Sequence, residues 1–543
     1  MEIKIFSRTI AAQPQQGQSD NWLLYLNKRS PIEIARSNPE QSHRLGQLGN
    51  WPNSIPTAEK PLQIMKHLQP QGVAGKPMNP NDLAFTSATE QAKLIRDRQI
   101  SPLELTQLYL DRINTYDSQL GSYVTIMAEL AIADAKAKTE LLAQPNTDLP
   151  PFFGVPISIK DLKRVKDVRC SFGVAALKNQ MATEDVGVVT KIRDAGFILI
   201  GKTATSQLGS MPFTEPPGFP PTRNPWNLEH TSGGSSGGAA AALAAGLCPI
   251  SQGSDGGGSV RGPAACCGLV GLKPSRGRVS HAPVGDSLNG LSTNGPLGRN
   301  VADTAALLDV ISGYITGDPY WLPDPEIPFA QSYQKPLSSL RIAFSPNLSD
   351  FGQATPEYQQ TVLDVAKALE GMGHHLQEDC PLVADLAPPF TTIWQSAVAA
   401  SGIPLELLEP INQWLAARTA NAGEYLQAVA QLQKISRRIV SFFDKYDALV
   451  LPVFLHAPIQ VGEWASLHPE DTFSKVSHWI GPSAVFNATG QPAISLPVGF
   501  GDRGLPLSVQ IVGRPGAEAT LLSLAAQLEQ VYQWGQQRPP QFS

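Results

Sequence analysis

The stretch that most restricts this chain runs from Glu229 to Pro274 and reads EHTSGGSSGGAAAALAAGLCPISQGSDGGGSVRGPAACCGLVGLKP. Two serines lie in glycine nests, Ser235 within GGSSGG and Ser259 at the end of DGGGS, with an alanine-rich block at 239–245 between them. Glycine admits positive φ and lets a ligand come close to the main chain. Consecutive free N–H groups in such a nest bind an oxyanion, and a serine hydroxyl held there is a candidate acyl-transfer nucleophile. The alanine block has high helix propensity and predicts a helix starting just after GGSSGG. Ser235 would then sit near a helix N-terminus, where backbone donors and the dipole favour developing negative charge. From Thr231 to Ser254 the chain carries no charge for 24 residues, but its Gly, Ser and Ala content argues against a bilayer span.

The chain has 543 residues, 42% of them hydrophobic and 16% charged, enough for a large core and too long for a small domain. Its net charge of 42 − 47 = −5 argues against nucleic acid as a bulk partner. Five cysteines, odd in number and thinly spread, point to a reducing compartment rather than a disulfide framework. The first 30 residues lack the apolar core of a signal peptide. A soluble cytoplasmic protein without a membrane partner is expected.

Residues 1–83 are rich in Gln, Pro and Asn, with short apolar clusters such as Trp22–Leu26. They predict an extension packed on the main domain, or one that shapes a substrate entrance or an oligomer contact. From Ala84 the texture changes, and one α/β domain is expected over 84–543. Helices are predicted from Thr86 and from Ser101, where Ser101 before Pro102 and Glu104 three residues on have the features of an N-cap and capping box. Another is predicted at 131–143. Val155, Ile157 and Ile159 alternate with Pro156, Ser158 and Lys160, a strand in which Lys160 shares a face with Ser158. Gly196–Thr203 formally fits the phosphate-loop pattern G-x-x-x-x-G-K-[ST], but its Phe-Ile-Leu-Ile interior has the character of a core strand and argues against nucleotide binding. Thr222–Thr231 reads as a proline-rich loop. Further on, helices are predicted at 301–311, 355–371, near 389–420, at 422–446 and 518–532, and strands at 341–345 and 447–453.

Taken together, GGSSGG, the alanine-rich helix, SDGGGSVR and CGLVGLKP, with GVPISIKD upstream, resemble the amidase signature family, in which a Lys–Ser–Ser triad hydrolyses amides. The resemblance covers roughly 84–534 and fades between about 314 and 481, a region that in relatives commonly lines the acyl pocket. It implies an α/β fold built on a large twisted mixed β-sheet flanked by helices on both sides. It implies Ser259 as nucleophile, Lys160 as base, and Ser235, in an unusual cis-type peptide environment, as the bridge between them. Backbone N–H groups of Gly256, Gly257, Gly258 and Ser259 would form the oxyanion hole, and Asp255 and Arg261 would brace the loop as an ion pair. The implied chemistry needs no metal and no organic cofactor. Its substrate would be a small carboxamide, and relatives leave room for a homodimer.

Three rival readings meet this one. Gly233–Gly237 also satisfies the G-x-S-x-G of α/β-hydrolases, with Ser235 as nucleophile, but that motif should follow a strand directly. Cys266 or Cys267 could serve a cysteine mechanism, though cysteines in an apolar run are more often buried and inert. The chain could also be the amide-hydrolysing subunit of a glutamyl-tRNA amidotransferase. Its Thr203–Ser210 segment followed by Thr214-Glu215-Pro216 departs from the DEFAMG of those subunits. It looks closer to stand-alone amidases, including those acting on aminohexanoate cyclic dimers, which share the triple glycine and KPSRGRVS. Of the two serine mechanisms, only the amidase version needs Lys160.

Overall fold

The computed structural model describes residues 79–145, 148–286, 288–348 and 351–543, so residues 1–78 of the expected extension lie outside the described residues. Local signals start the fold. Ser101 Oγ accepts the Glu104 N–H at 3.1 Å, and the Glu104 carboxylate takes the Ser101 N–H at 2.8 Å. This capping box opens the helix Pro102–Leu120, which Gly121 closes at φ 61°. A preceding helix, Pro80–Phe85, runs across residue 83 and is tied to the longer one by Arg112 Nη1 donating to Asn81 Oδ1 at 2.8 Å and by Tyr109 donating to the Ala84 carbonyl at 3.0 Å. No helix among the described residues is long and apolar enough to cross a membrane.

Thirteen strands are found among the described residues: β1 Tyr123–Ile126, β2 Pro156–Lys160, β3 Ile198–Thr203, β4 Arg223–Asn224, β5 Asn227–Thr231, β6 Ser251–Asp255, β7 Val270–Lys273, β8 Thr293–Gly298, β9 Arg341–Phe344, β10 His375–Glu378, β11 Ala448–Pro452, β12 Ala493–Phe500 and β13 Pro506–Gly513. Eleven form one sheet in the order β1-β3-β2-β6-β8-β7-β12-β13-β11-β9-β10. It is mixed: β2 runs parallel to β3 and β6, and β9 to β10 and β11, while the pairs between β6 and β11 are antiparallel. Every residue of β2, β3, β6 and β11 is buried, which requires cover on both faces of the sheet. Gly196–Thr203 is accordingly the turn into a core strand, as its apolar content required. The loop expected at 222–231 instead contains the small ribbon of β4 and β5, separate from the main sheet.

The alanine block forms the helix Gly237–Ala244, buried throughout and packed against β2, β3, β6 and β8. Its small side chains allow close approach: a β-carbon on Gly238 would run into the backbone of Ala204 and Ser122. Downstream, the helices Val301–Ile311 and Glu518–Tyr532 have the expected limits. The stretch near 389–420 divides into Ala387–Ala399 and Pro410–Ala416, with Gly402 and Pro404 between them as breakers.

The register of β2 and β6 builds the site. Ser158 pairs with Ser251 and Ile159 with Gln252 in parallel, so both strands end on the same edge of the sheet. Lys160 lies at one end and Asp255 at the other, with the triple glycine and Ser259 just beyond. Carboxyl ends of adjacent parallel strands are where open α/β sheets offer their binding crevices.

Candidate active site

Lys160 has no solvent exposure. Its Nζ donates to Ser235 Oγ at 2.7 Å and to the Ser254 carbonyl at 3.2 Å. Among the described residues no carboxylate forms an ion pair with it. Burial pushes its ammonium well below the ordinary lysine value; nearby Lys163 acts in the same direction and Asp255 opposes it. The carboxylate of Asp161 is turned to other donors: Lys202 Nζ at 2.6 Å, the Ser171 N–H at 2.9 Å and the Ser171 hydroxyl at 2.5 Å.

The peptide bond Gly234–Ser235 is cis, and the following helix begins at Gly237, two residues before the first alanine. Hydrogen bonds through Ser236 join this loop to the segment carrying Ser259. The Ser236 N–H donates to the Ser259 carbonyl at 3.2 Å, and the Ser236 hydroxyl donates to the Ser254 carbonyl at 3.2 Å. Ser235 and Ser259 are both buried. Among the described residues no hydrogen bond joins their hydroxyls, so of the two links implied for the triad only Lys160–Ser235 is made.

Of the four backbone donors expected at an oxyanion hole, that of Gly258 is already engaged. The Gly258 N–H is committed to Asp255 Oδ1 at 2.8 Å, because the buried carboxylate at the end of β6 draws the nearest donors in the loop. The N–H groups of Gly256, Gly257 and Ser259 have no partner among the described residues. Gly258 sits at φ 124°, where an L side chain is strained, and a β-carbon there would approach Ile480 to 2.7 Å and Ser483 to 2.9 Å.

Asp255 and Arg261 form a fully buried ion pair, with Nε to Oδ2 at 3.1 Å and Nη2 to Oδ1 at 3.0 Å. Burial alone would raise the Asp255 carboxyl; the guanidinium and its hydrogen bonds outweigh this and hold it well below the usual carboxylate range. Asn487 and Gln510 complete the network. Asn487 Nδ2 donates to Asp255 Oδ1 at 2.9 Å, while Arg261 donates to Asn487 Oδ1 at 2.6 Å and to Gln510 Oε1 at 3.0 Å. Sequence reasoning marked the stretches holding these two residues but gave neither a role. The available signal was that a buried ion pair needs further partners for its remaining donors and lone pairs.

A cavity of about 660 Å3 opens onto Ser235, Ser254 and Gly256. One wall comes from the helix Ala387–Ala399, where Phe390 stacks on Trp394 with ring centroids 5.7 Å apart. A β-carbon on Gly256 would meet the Trp394 ring at 3.4 Å, so the indole lies directly against the glycine loop. This wall belongs to the region where sequence resemblance fades. Among the described residues no three of His, Cys, Asp and Glu cluster as metal ligands would.

The rival chemistries lack their geometry. Ser235 Oγ is paired with a lysine, and no histidine is hydrogen-bonded to it among the described residues. Burial pushes the thiols of Cys266 and Cys267 well above the ordinary value, which leaves them unreactive.

Comparison with known proteins shows which family the chain is similar to. The family model described as Amidase matches residues 104–522. A Synechocystis protein described as "Putative amidase" is 56% identical over 465 residues, which is 85% of this chain and 92% of that protein. The 6-aminohexanoate-cyclic-dimer hydrolase of Paenarthrobacter ureafaciens is 34% identical over 487 residues, covering 84% of this chain and 96% of its own length. The solved structure of 6-aminohexanoate cyclic dimer hydrolase complexed with substrate superposes with a TM-score of 0.79 at 31% identity, over 85% of this chain and all of that one.

Proposed function

The chain belongs to the amidase signature family, a hydrolase of carbon–nitrogen bonds other than peptide bonds, and on that premise we propose that it cleaves a small carboxamide through an acyl-enzyme carried on Ser259. Ser259 Oγ adds to the amide carbonyl carbon. Its proton passes to Ser235 Oγ as the Ser235 proton passes to the neutral amine of Lys160. The oxyanion is received by the N–H groups of Gly256, Gly257 and Ser259; loss of one such donor typically costs about 2.7–4 kcal/mol of barrier. The proton held on Lys160 returns through Ser235 to the leaving nitrogen as the C–N bond breaks. Water then attacks the ester by the same route in reverse, giving the carboxylic acid and regenerating Ser259.

One observation carries this reading: an unexposed Lys160 amine lies 2.7 Å from Ser235 Oγ with no ion-paired carboxylate beside it among the described residues. A lysine in that setting loses its charge readily and can act as a base near neutral pH. Asp255 and Arg261 serve the loop rather than the substrate. The acyl part of the substrate lies along Trp394.

The test is labelling with a serine-directed fluorophosphonate followed by peptide mass spectrometry. The label is expected on Ser259 and absent from Ser259→Ala, whose circular dichroism and melting temperature stay those of the parent. A label on Ser235 in active protein would overturn the assignment and favour the α/β-hydrolase arrangement.

A further inference from the structure

Lys163 remains once the triad is assigned. It follows Lys160 by one turn, its N–H donating to the Lys160 carbonyl at 3.0 Å, and it lines the same cavity as Ser235 and Gly256. Among the described residues its ammonium has neither a hydrogen bond nor an ion pair. The other titratable groups around it are Lys160 on its own turn, Cys170 on the segment that follows, and His281 and Asp286 beyond them. Asp286 also lines the cavity, with Oδ1 taking the Gly290 N–H at 2.7 Å. Burial lowers Lys163 to about 8, so it is still mostly protonated at neutral pH. A cation kept partly desolvated without a counter-ion is costly to the fold, and a bound anion removes that cost.

We propose that Lys163 is a substrate-binding residue that pairs with a carboxylate on the substrate, so that the preferred substrates are carboxamides bearing a free acid group, such as monoamides of dicarboxylic acids. The proposal rests on the amide-hydrolase reading above and adds the substrate class to it. The apolar stem of such a molecule packs along Trp394, its amide reaches Ser259, and its carboxylate meets Lys163 in a charge-assisted hydrogen bond. Such bonds are about twice as strong as neutral ones. An amide carrying an ammonium in the same position meets Lys163 as a like charge.

The experiment compares three amides of matched length on the full chain, by ammonia release: the monoamide of adipic acid, hexanamide and 6-aminohexanamide. The order of kcat/KM is expected to be acid, then neutral, then ammonium. The acid-to-neutral ratio is expected to fall about tenfold or more in Lys163→Met and to be largely kept in Lys163→Arg, since charge-assisted pairing is the stronger class of bond. In parallel, calorimetry measures the affinity of the adipic monoamide for Ser259→Ala with and without Lys163→Met. An acid-to-neutral ratio near one in the parent, or a ratio that Lys163→Met leaves unchanged, overturns the proposal. So does a Lys163→Met effect that shifts the acidic limb of the pH–rate profile equally for both amides, because Lys163 would then only tune Lys160. If none of the three amides turns over while calorimetry shows Lys163-dependent binding, the hydrolytic reading fails and the binding role stands.

Discussion

Asp161 follows Lys160 directly in the chain, yet its carboxylate lies 2.6 Å from Lys202 Nζ and takes no proton from Lys160. The pairing matters because a carboxylate beside Lys160 would hold that amine charged and unable to accept a proton. Ser171 supplies two further donors to Asp161, so its charge is satisfied within the protein. Lys160 is thereby left next to Ser235 with no ion-paired carboxylate among the described residues.

A pH dependence follows for Lys160. Its folded value lies well below 10.5, so between the two values the unfolded chain binds one proton more and stability rises with pH. The destabilisation it causes is full below the folded value and gone above the unfolded value near 10.4. Acylation by the parent enzyme is expected to fall toward acid as Lys160 takes up its proton. Lys160→Met is expected to acylate at most a hundredth as fast, on the order of the loss of a general base. Its melting temperature, relative to the parent, is expected to be more favourable at pH 6 than at pH 9. An unchanged acidic limb in the variant rules Lys160 out as the base.

Breaking the ion pair under the loop that carries Ser259 is expected to be strongly destabilising. Arg261→Met leaves the buried Asp255 carboxylate without its counter-charge, a change that costs about 3–5 kcal/mol in comparable buried pairs. The expected outcome is a large drop in the urea midpoint, together with loss of fluorophosphonate labelling because the Gly256–Gly258 turn loses its anchor. A midpoint unchanged from the parent would mean that Asn487 and the loop N–H groups satisfy Asp255 by themselves.

Trp394 should set the discrimination among acyl groups. Its ring lies against Gly256 in the cavity wall, and truncation to alanine removes apolar contact from that side of the cavity. For Trp394→Ala, kcat/KM for hexanamide is expected to fall about tenfold or more relative to acetamide, since each methylene in an apolar pocket contributes roughly 1–3 kcal/mol to selectivity. Equal losses for both amides would show that the indole supports the loop without touching the acyl chain.

Much of the fold was legible because its signals are local. The capping box at Ser101 and Glu104, the alternation through Ile157 and Ile159 and the apolar run into Thr203 each act over a few residues, through backbone hydrogen bonding and side-chain direction. The ribbon of β4 and β5 was missed because proline-dense sequence reads as loop. Asn487 and Gln510 were missed as well, since an uncharged amide announces no role until the charge it must satisfy is placed beside it.

By itself, then, the sequence determined the locally signalled helices and core strands, the α/β class and the two glycine nests that carry Ser235 and Ser259. Only the tertiary structure decided which groups those nests face. Lys160 and Ser254 are 94 residues apart in the chain and meet at 3.2 Å because β2 and β6 lie side by side in parallel. Gly258 has the composition of an oxyanion donor, and the nearby Asp255 carboxylate takes its N–H for another purpose. Trp394 comes from a segment with no recognisable motif and ends against Gly256. The reason is the same in each case: a residue's intrinsic propensity is fixed by its covalent neighbours, whereas its charge state, its free donors and its solvent contact depend on groups that folding brings in from far along the chain.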